Sequence, residues 1–404
     1  MTKKALSGLK VVDCTELRTG PYATKLLADL GAEVIKIEDP FGGDEARRQG
    51  PYPGDNPNSE KSGLFLWLNA NKLGLTLNLR TALGRKVLKE LLKQADVFIE
   101  EMPPAVKREL GLDYESLSKI NPQLVVTSIT PFGETGPYKD YKAYEINCSA
   151  AGGLSNATGY PDREPLIFPI SSGDYQCGVA VASSSLVAAL VRRKIGEGQH
   201  ASISATEVLA DDHAGQYLIR YIYQGVSGNR RGHHAGYFYY PCSCLPCKDG
   251  HMVLIAPQLS QWIRFVELMG NPEWSENPRY RNRRAMFEEY PDEADELLKV
   301  WLAKHDKAEI FDMSRENHLP FAPVQTIDEV VKDPQLRARK FFSGLSHPAA
   351  GRLRYPGAAY KLSRTPARLR KPAPCLGEHN HEILCKRLGY SEDDLKRMKE
   401  YGVV

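Results

Sequence analysis

The residue of this sequence whose type and position best suit covalent chemistry is Asp174. It comes shortly before Val179–Val191, a run of small and apolar residues that predicts a buried helix. A carboxylate near a helix N-terminus is stabilised in its charged form by exposed amides, and such a carboxylate can attack an activated acyl group. The flanking Gly173 and Gly178 would leave room for substrate beside the backbone. Because aspartate is also a good N-cap, the sequence supports both a nucleophile and a structural cap.

The first glycines of the chain suggest a different chemistry, a dinucleotide site. Gly20 and Gly31 do not form the G-x-G-x-x-G pattern that such a site requires. Glu38 ends a predicted strand, where dinucleotide-binding folds often hold a ribose hydroxyl. Without the glycine pattern, this single acid does not indicate a nicotinamide enzyme.

Cysteines and histidines that could bind zinc lie together between residues 233 and 251. They are His233, His234, Cys242, Cys244, Cys247 and His251. Structural zinc needs four ligands at tight spacing, whereas this cysteine spacing is irregular and the histidines do not share an obvious helix face. Buried thiols beside a hairpin turn at Lys248–Gly250 fit the pattern better, so we expect no metal.

The elements that must position Asp174 alternate between strands and helices. Hydrophobic periodicity predicts one helix opened by Gly20-Pro21 and another over 83–95. The predicted strands are Lys10–Cys14, Glu33–Glu38, Asp96–Glu100, Leu124–Ile129 and His200–Ala205. Since this alternation is typical of a parallel sheet flanked by helices, the sequence predicts an α/β fold.

The second half of the chain has a different composition. Residues 210–250 are aromatic and glycine-rich and predict a connector, in which Tyr237–Tyr240 could line a pocket for a bulky acid or belong to the core. Residues 251–325 mix helical patterns with loops, and 327–404 are loop-rich before a charged helix near Glu392–Glu400. A length of 404 residues predicts two or three domains.

The composition is that of a globular protein and excludes several classes. Hydrophobic residues make up 42% and charged residues 25% of the chain. The 53 basic and 50 acidic residues give a net charge of +3, without the basic surplus of a nucleic-acid binder. No apolar run reaches the ~18 residues of a membrane span, and the first ten residues lack the apolar segment of a secretory signal. Eight cysteines are too sparse for a disulfide scaffold, which favours a cytoplasmic protein. From the charge and the lack of a long apolar run, we expect no binding to nucleic acid or membrane.

Ten short segments, taken together and in order, resemble the family III CoA-transferases, the group that includes formyl-CoA and carnitine CoA-transferases. They span nearly the whole chain, and their joint order is what makes the resemblance specific. The segments are Gly8–Asp13, Gly20-Pro21, Leu30–Glu38, Gly42–Asp44, Asn71-Lys72, Tyr144-Glu145, Gly173-Asp174, Gly196–Gln199, Asp333-Pro334 and Leu376–His379.

The resemblance implies a reaction and a set of site residues. An aspartate at the position of Asp174 would attack an acyl-CoA thioester and carry CoA to a carboxylic acid, with succinyl-CoA as the first donor to test. Tyr144 and Glu145 match positions beside the acyl group and would give supporting hydrogen bonds. CoA enters as a substrate and acyl carrier, and no metal is implied. The candidate CoA contacts are Leu17, Arg18, Lys72, Met102 and Lys142.

The resemblance also implies an architecture, an interlocked dimer of ring-like subunits. Each subunit would have a Rossmann-like large domain built from both chain ends and a smaller domain. In this numbering, 1–209 is the first part of the large domain and 210–250 a linker. The small domain is 251–325, and 326–404 contains the return linker and the rest of the large domain.

Three acidic residues depart from the family pattern. Where relatives have an Asn-Phe pair and two arginines, this chain has Glu101-Met102, Glu109 and Asp39. Because carboxylates repel the phosphates of CoA, we hypothesise that the chain binds CoA poorly by itself. It would then be one subunit of a heteromeric enzyme, as in the benzylsuccinate-type CoA-transferases, with a homologous sister subunit as partner.

Two further alternatives stay open. Racemases share the implied fold but use a catalytic histidine at the position of Tyr144, and a phenol with a pKa near ~10 is a poor proton shuttle at neutral pH. A non-catalytic subunit would instead leave turnover of the assembled complex unchanged after Asp174→Ala.

Overall fold

A computed structural model describes residues 4–212, 214–228, 230–234 and 239–404. The chain divides into two compact units. Unit 1 contains the described residues of Met1–Leu154, Ile167–Gly225 and Gln335–Val404, and unit 2 contains those of Ser155–Leu166 and Val226–Pro334. Within the predicted aromatic segment, Tyr237 and Phe238 lie outside the described residues, whereas Tyr240 is fully buried in unit 2.

The described residues form eleven strands and eighteen α-helices. The strands are β1 (Lys10–Cys14), β2 (Glu33–Glu38), β3 (Leu73–Thr76), β4 (Val97–Glu100), β5 (Val125–Thr130), β6 (His200–Ser204), β7 (Cys242–Cys247), β8 (Gly250–Ile255), β9 (Ala322–Pro323), β10 (Phe342–His347) and β11 (Gly351–Pro356). The helices are α1 (Thr19–Asp29), α2 (Gly63–Leu68), α3 (Ala82–Leu92), α4 (Pro104–Leu110), α5 (Tyr114–Ser118), α6 (Glu145–Ala151), α7 (Leu154–Ala157), α8 (Ser172–Ile195), α9 (Ala205–Asp212), α10 (Gly215–Gln224), α11 (Leu259–Leu268), α12 (Pro278–Arg281), α13 (Arg283–Glu288), α14 (Pro291–Leu302), α15 (Lys307–Glu316), α16 (Ile327–Lys332), α17 (Pro334–Ala338) and α18 (Glu392–Glu400).

Unit 1 is built on a six-stranded parallel sheet with the order β3-β2-β1-β4-β5-β6. Successive strand residues face opposite sides and both sides are buried, which explains the continuous apolar runs. Val11 and Val97 pack with α1 and α8 on one face. Val12 and Phe98 pack with α3 on the other. The predicted α/β fold with a parallel sheet is confirmed.

The C-terminal segment completes the sheet at β3. Asn78 N–H donates to Val403 O at 2.8 Å, and Thr76 N–H donates to Asn380 Oδ1 at 3.0 Å. Ile383 and Met398 join the apolar cluster of β3 and α3. Unit 1 is therefore closed by residues from both halves of the chain.

Unit 2 has a small antiparallel sheet, β7-β8-β9, covered by helices. The turn between β7 and β8 lies at Lys248-Asp249, as the hairpin signal predicts. Its core contains Tyr240, Trp262 and Phe265. Residues 210–250, predicted as a linker, include α10 in unit 1 and β7 in unit 2.

Helix α8 is longer than predicted, because it begins at Ser172 rather than near Val179. By length and composition, Pro169–Ile195 could cross a membrane, in contrast to the sequence expectation that no such run exists. One side of α8 packs on α1 and β5, as in a core helix of a globular domain. Its other side exposes Val187 and Leu190.

Candidate active site

A cleft of about 790 Å³ opens in unit 1 at the carboxyl edge of the sheet. Its floor is formed where β1, β4 and β5 end, by Glu16–Thr19, Glu101–Pro104 and Ile129–Pro131. Strand order reverses between β1 and β4, and ligands of open α/β sheets bind at such switch points. The cleft is therefore where this fold is expected to bind a substrate.

Seven of the eight predicted site residues line this cleft. They are Leu17, Arg18, Met102, Lys142, Tyr144, Glu145 and Asp174. They come from four separate segments of the chain, which the parallel sheet brings to one edge.

Asp174 lies in the first turn of α8, where Ser171 is the N-cap residue. The structure therefore does not place Asp174 at the cap position that the sequence allowed. Its Oδ1 accepts a hydrogen bond from the Thr19 hydroxyl at 3.1 Å. Just before it, Ile170 and Ser171 have φ of 62° and 50°, in the left-handed region that non-glycine residues seldom adopt. Such strained backbone is often found at functional sites.

The glycines beside Asp174 make room for protein atoms rather than for substrate. A Cβ on Gly173 would lie 2.6 Å from Glu145 Oε1, so the two carboxylates are neighbours across the first turn of α8. A Cβ on Gly178 would lie 2.8 Å from Thr19 O. Gly178 thus allows α8 to approach α1 closely enough for the contact between Thr19 and Asp174.

The surroundings of Asp174 have opposite effects on the pKa of its carboxyl group. Burial raises the pKa of this carboxyl group, whereas the Thr19 hydroxyl and the Arg18 charge act to lower it. Glu145 adds a smaller effect that raises the pKa. The result is a partly buried carboxylate with one hydrogen-bond donor, a suitable state for a nucleophile.

Tyr144 and Glu145 form the start of α6 on the cleft wall. Glu145 accepts a hydrogen bond from Ser149 Oγ, which fixes its carboxylate. Tyr144 is 77% exposed, and its N–H donates to Asn147 Oδ1 at 3.0 Å. Its phenol is therefore available to a ligand in the cleft.

The turn after β1 is held by hydrogen bonds to the segment that follows β2. Leu17 has φ 61° and its N–H donates to Asp44 Oδ1 at 2.9 Å. Asp44 in turn pairs with Lys36 at 2.8 Å, with both side chains fully buried. Arg18 Nη2 donates to Gln49 Oε1 at 2.7 Å, which directs the guanidinium at the cleft edge.

Lys72 does not line the cleft. Its Nζ pairs with Asp13 Oδ2 at 2.9 Å and donates to Thr24 Oγ1 at 2.7 Å, with the side chain fully buried. Burial lowers the pKa of Lys72 to about 8 against the opposing effect of Asp13. Four hydrogen-bond partners surround the ammonium, so the structure assigns Lys72 to the support of β1 instead of to CoA.

The acidic departures from the family pattern have three different positions. Glu101 lines the cleft and accepts a hydrogen bond from Glu16 N–H, and burial raises its pKa well above the usual range. Burial therefore favours the neutral form of Glu101, which repels a phosphate less than a carboxylate does. Asp39 and Glu109 are exposed and do not line the cleft.

A polar network supports the loop that carries Lys139–Lys142. Lys107 pairs with Glu100 at 2.8 Å and with Glu134, and Glu134 pairs with His200 at 3.0 Å. Burial acts to raise the pKa of Glu134, but hydrogen bonds from His200 and Lys107 lower it to about 2. The network joins α4, β6 and the loop beneath one wall of the cleft.

Thr19 is the residue that sequence reasoning missed. It stands directly after Arg18, at the carboxyl end of β1 and at the start of α1. Its position at the end of a central strand is a signal that could have identified it. Glu16, which also lines the cleft, carries the same signal.

Comparisons with known proteins identify the family of the chain. The model of CoA-transferase family III matches residues 6–380. The chain is 33% identical over 420 residues to a formyl-CoA:oxalate CoA-transferase of Streptomyces coelicolor, covering 100% of both chains. It is 31% identical over 408 residues to a succinyl-CoA–D-citramalate CoA-transferase of Chloroflexus aurantiacus, covering 99% of this chain and 98% of the relative.

A solved structure has the same fold. It is that of a CAIB/BAIF family protein from Brucella suis, with a TM-score of 0.84 and 28% identity. The match covers 94% of this chain and 98% of that one.

Proposed function

Because the chain belongs to CoA-transferase family III, and is therefore an enzyme that transfers CoA, we propose that Asp174 is the residue on which CoA is carried. The observation that carries the proposal is the position of Asp174 in the cleft at the strand switch point, with Thr19 on its Oδ1. Acyl-CoA and carboxylic acids are the substrates.

The proposed reaction has four substitutions at carbonyl carbon. A carboxylate oxygen of Asp174 attacks the acyl-CoA carbonyl carbon. The C–S bond breaks, CoA thiolate departs, and a mixed anhydride of Asp174 and the donor acid forms. The thiolate then attacks the Asp174 carbonyl, and the donor acid departs as a carboxylate. The acceptor carboxylate attacks the resulting aspartyl-CoA thioester, the C–S bond breaks, and CoA thiolate departs as a second mixed anhydride forms. The thiolate finally attacks the acceptor carbonyl of this anhydride, which gives the new CoA ester and releases the Asp174 carboxylate. No proton is gained or lost overall, and the thioester energy is retained without ATP.

The neighbours of Asp174 have supporting roles in this proposal. The Thr19 hydroxyl orients one carboxylate oxygen, which leaves the other to attack. The Arg18 charge favours the ionised form. The exposed phenol of Tyr144 and the fixed carboxylate of Glu145 lie where the acyl group would be bound, and we assign them hydrogen bonds to it.

We propose succinyl-CoA as the first donor to test. One relative is named for succinyl-CoA and another for formyl-CoA, so formyl-CoA is the matched alternative. The choice between the two donors is decided by incubating each with a panel of acceptor acids. The rate at which the new CoA ester forms is the measurement.

The charges of the cleft bear on whether one chain is sufficient to bind CoA. Arg18, Lys139 and Lys142 line the cleft and could contact phosphates, and Glu16 and Glu45 line the same cleft. Burial raises the pKa of Glu101, which weakens one source of repulsion. We therefore favour CoA binding by this chain itself and retain the heteromeric enzyme as the second candidate.

Calorimetric titration of the purified chain with CoA tests this preference. We expect micromolar or tighter binding that weakens after Lys142→Glu. Binding that appears only with a co-purified sister chain would instead support the heteromeric enzyme, whose CoA site would lie on that sister.

We also propose a dimer, a Rossmann-like large domain made from both chain ends, and a cytoplasmic location. Exposed apolar side chains on α8 and α10 support the dimer. They include Val187, Leu190, Ile219, Ile222 and Tyr223. The family architecture of interlocked subunits would bury them.

Trapping of the covalent intermediate tests the central proposal. The chain is incubated with succinyl-CoA and hydroxylamine, which converts an activated carboxylate into a hydroxamate, and peptide mapping locates the label. We expect the label on Asp174 and none in Asp174→Asn. Glu145→Gln is the matched control, because it removes a neighbouring carboxylate and should keep the label. A chain that turns over substrate without any label on Asp174 would overturn the proposal.

A further inference from the structure

A second group of reactive side chains lies in unit 2. His233, His234, Asp292 and Asp295 each offer one ligand atom, and these four atoms lie within 4.8 Å of one another. Both imidazole Nε2 atoms contact Asp295 Oδ2, at 2.7 Å for His233 and 2.9 Å for His234. The CoA-transfer chemistry proposed above uses none of these residues.

The backbone holds the four side chains in place. Asp292 and Asp295 are three residues apart in α14, and therefore on the same face of that helix. The histidines are fixed against β7, because Cys244 N–H donates to His233 O at 2.9 Å and His234 forms a bridge with Ser243. The cluster thus joins a segment beside the small sheet to a helix that packs on it.

Two tyrosines orient the cluster from outside. Tyr240 is fully buried, and its hydroxyl donates to Asp295 Oδ1 at 2.8 Å. The Tyr160 hydroxyl lies 3.2 Å from His233 Nδ1. Hydrogen bonds from such partners to the far side of a ligand are a regular feature of metal sites, where they fix the orientation of the ring or carboxylate.

Burial is graded across the cluster. The Asp295 side chain is 1% exposed and that of His234 is 8% exposed, whereas Asp292 lies on the surface. An ion could therefore enter at Asp292 and reach an enclosed set of ligands.

We propose that His233, His234, Asp292 and Asp295 bind a zinc ion. Two imidazole nitrogens and two carboxylate oxygens satisfy the four-coordinate preference of Zn²⁺. The two carboxylates balance the charge of the ion. The ligand set differs from the cysteine-based site considered from the sequence, since the two histidines face aspartates. The ion would cross-link α14 to the segment beside β7 and stabilise unit 2.

The protons balance in this proposal. Each Nε2 reaches Asp295 Oδ2 as an N–H donor, so metal binding moves that proton to Nδ1. For His233, the Tyr160 oxygen then accepts the Nδ1 proton.

The test uses the full chain after removal of metal with a chelator. Calorimetric titration with ZnCl₂ should give one ion per chain, together with a rise in the thermal midpoint. Co²⁺ in place of Zn²⁺ should give the visible bands of a tetrahedral site. We expect His234→Ala and Asp292→Asn each to weaken Zn²⁺ binding by about 100-fold.

Matched controls distinguish this site from the cysteine alternative. His251→Ala and Cys244→Ser remove residues of the sequence-based cluster and should change the affinity less than twofold. If His234→Ala fails to fold, Asp292→Asn decides the question, because Asp292 is exposed. The absence of stoichiometric binding, unchanged affinity in Asp292→Asn, or an equal loss in the two controls would overturn the proposal.

Discussion

At the scale of single residues, two aspartates of unit 1 show how environment separates structure from chemistry. Asp13 is fully buried, and burial alone would raise its pKa, yet Lys72, Lys36 and two threonine hydroxyls hold the pKa well below its usual range. Asp174 has one hydroxyl donor and a pKa that is raised. A carboxylate enclosed by cations is a poor nucleophile, whereas one with a free oxygen facing a cleft is available for attack.

The Thr19 hydroxyl provides a prediction at this scale. Thr19→Val removes the hydrogen bond that lowers the pKa of Asp174, so this pKa rises further. Because the ionised form attacks, the acid limb of the kcat/KM profile should move to higher pH. At neutral pH, kcat/KM should fall about tenfold, as expected for the loss of a hydrogen bond to a charged group. Thr19→Ser retains the hydroxyl and should keep the original profile, and identical profiles for the two variants would contradict the prediction.

At the scale of elements, local patterns predict the sheet better than they predict the site. The strands Lys10–Cys14 and Glu33–Glu38 have their predicted bounds, because each is rich in β-branched residues, which favour strands. The sequence predicts a later start for α8, since Gly173 and Gly178 disfavour a helix locally. Their presence is explained by tertiary packing, of Gly173 against Glu145 and of Gly178 against α1. The burial of Lys72 depends on contacts with residues about 50 to 60 positions away, which no local pattern contains.

The close approach of α1 and α8 can be tested with Gly178→Ala. The added Cβ would lie 2.8 Å from Thr19 O and 3.0 Å from Tyr22 Cδ1, so the helices must move apart. We expect a loss of about 1–3 kcal/mol in the free energy of unfolding and a lower turnover, because Thr19 moves away from Asp174. Ser183→Ala, on an exposed position of the same helix, should change stability by less than about 0.5 kcal/mol. Denaturant unfolding measures both, and equal stability of the two variants would refute the packing argument.

The network beneath the loop predicts a pH dependence of stability. The pKa of Glu134 is lowered from 4.5 to about 2 in the folded protein, so its carboxylate stabilises the fold above pH 4.5. This contribution disappears as the pH falls from 4.5 to about 2. In Glu134→Gln, the urea midpoint should therefore depend less on pH over that window than in the wild type. Glu197→Gln, at an exposed position, is the control, and parallel curves for all three proteins would contradict the assignment.

At the scale of the whole molecule, exposed apolar residues on α10 predict self-association. Ile222 is 71% exposed in a helix of unit 1, and a dimer would bury it. Ile222→Asp introduces a charge there, so sedimentation should show a shift from dimer to folded monomer. Val300→Asp changes a residue that is 65% exposed on α14 and should leave the dimer intact. A wild-type chain that sediments as a monomer would contradict the proposed dimer.

The closure of the sheet by the C-terminal segment has a consequence for synthesis. Thr76 on β3 meets Asn380 across 304 positions of sequence, and the apolar residues that cover this strand come later still. A ribosome therefore releases the strand long before it translates the cover. Throughout that interval, the nascent chain exposes an apolar sheet edge, and transiently exposed apolar surface of this kind favours aggregation.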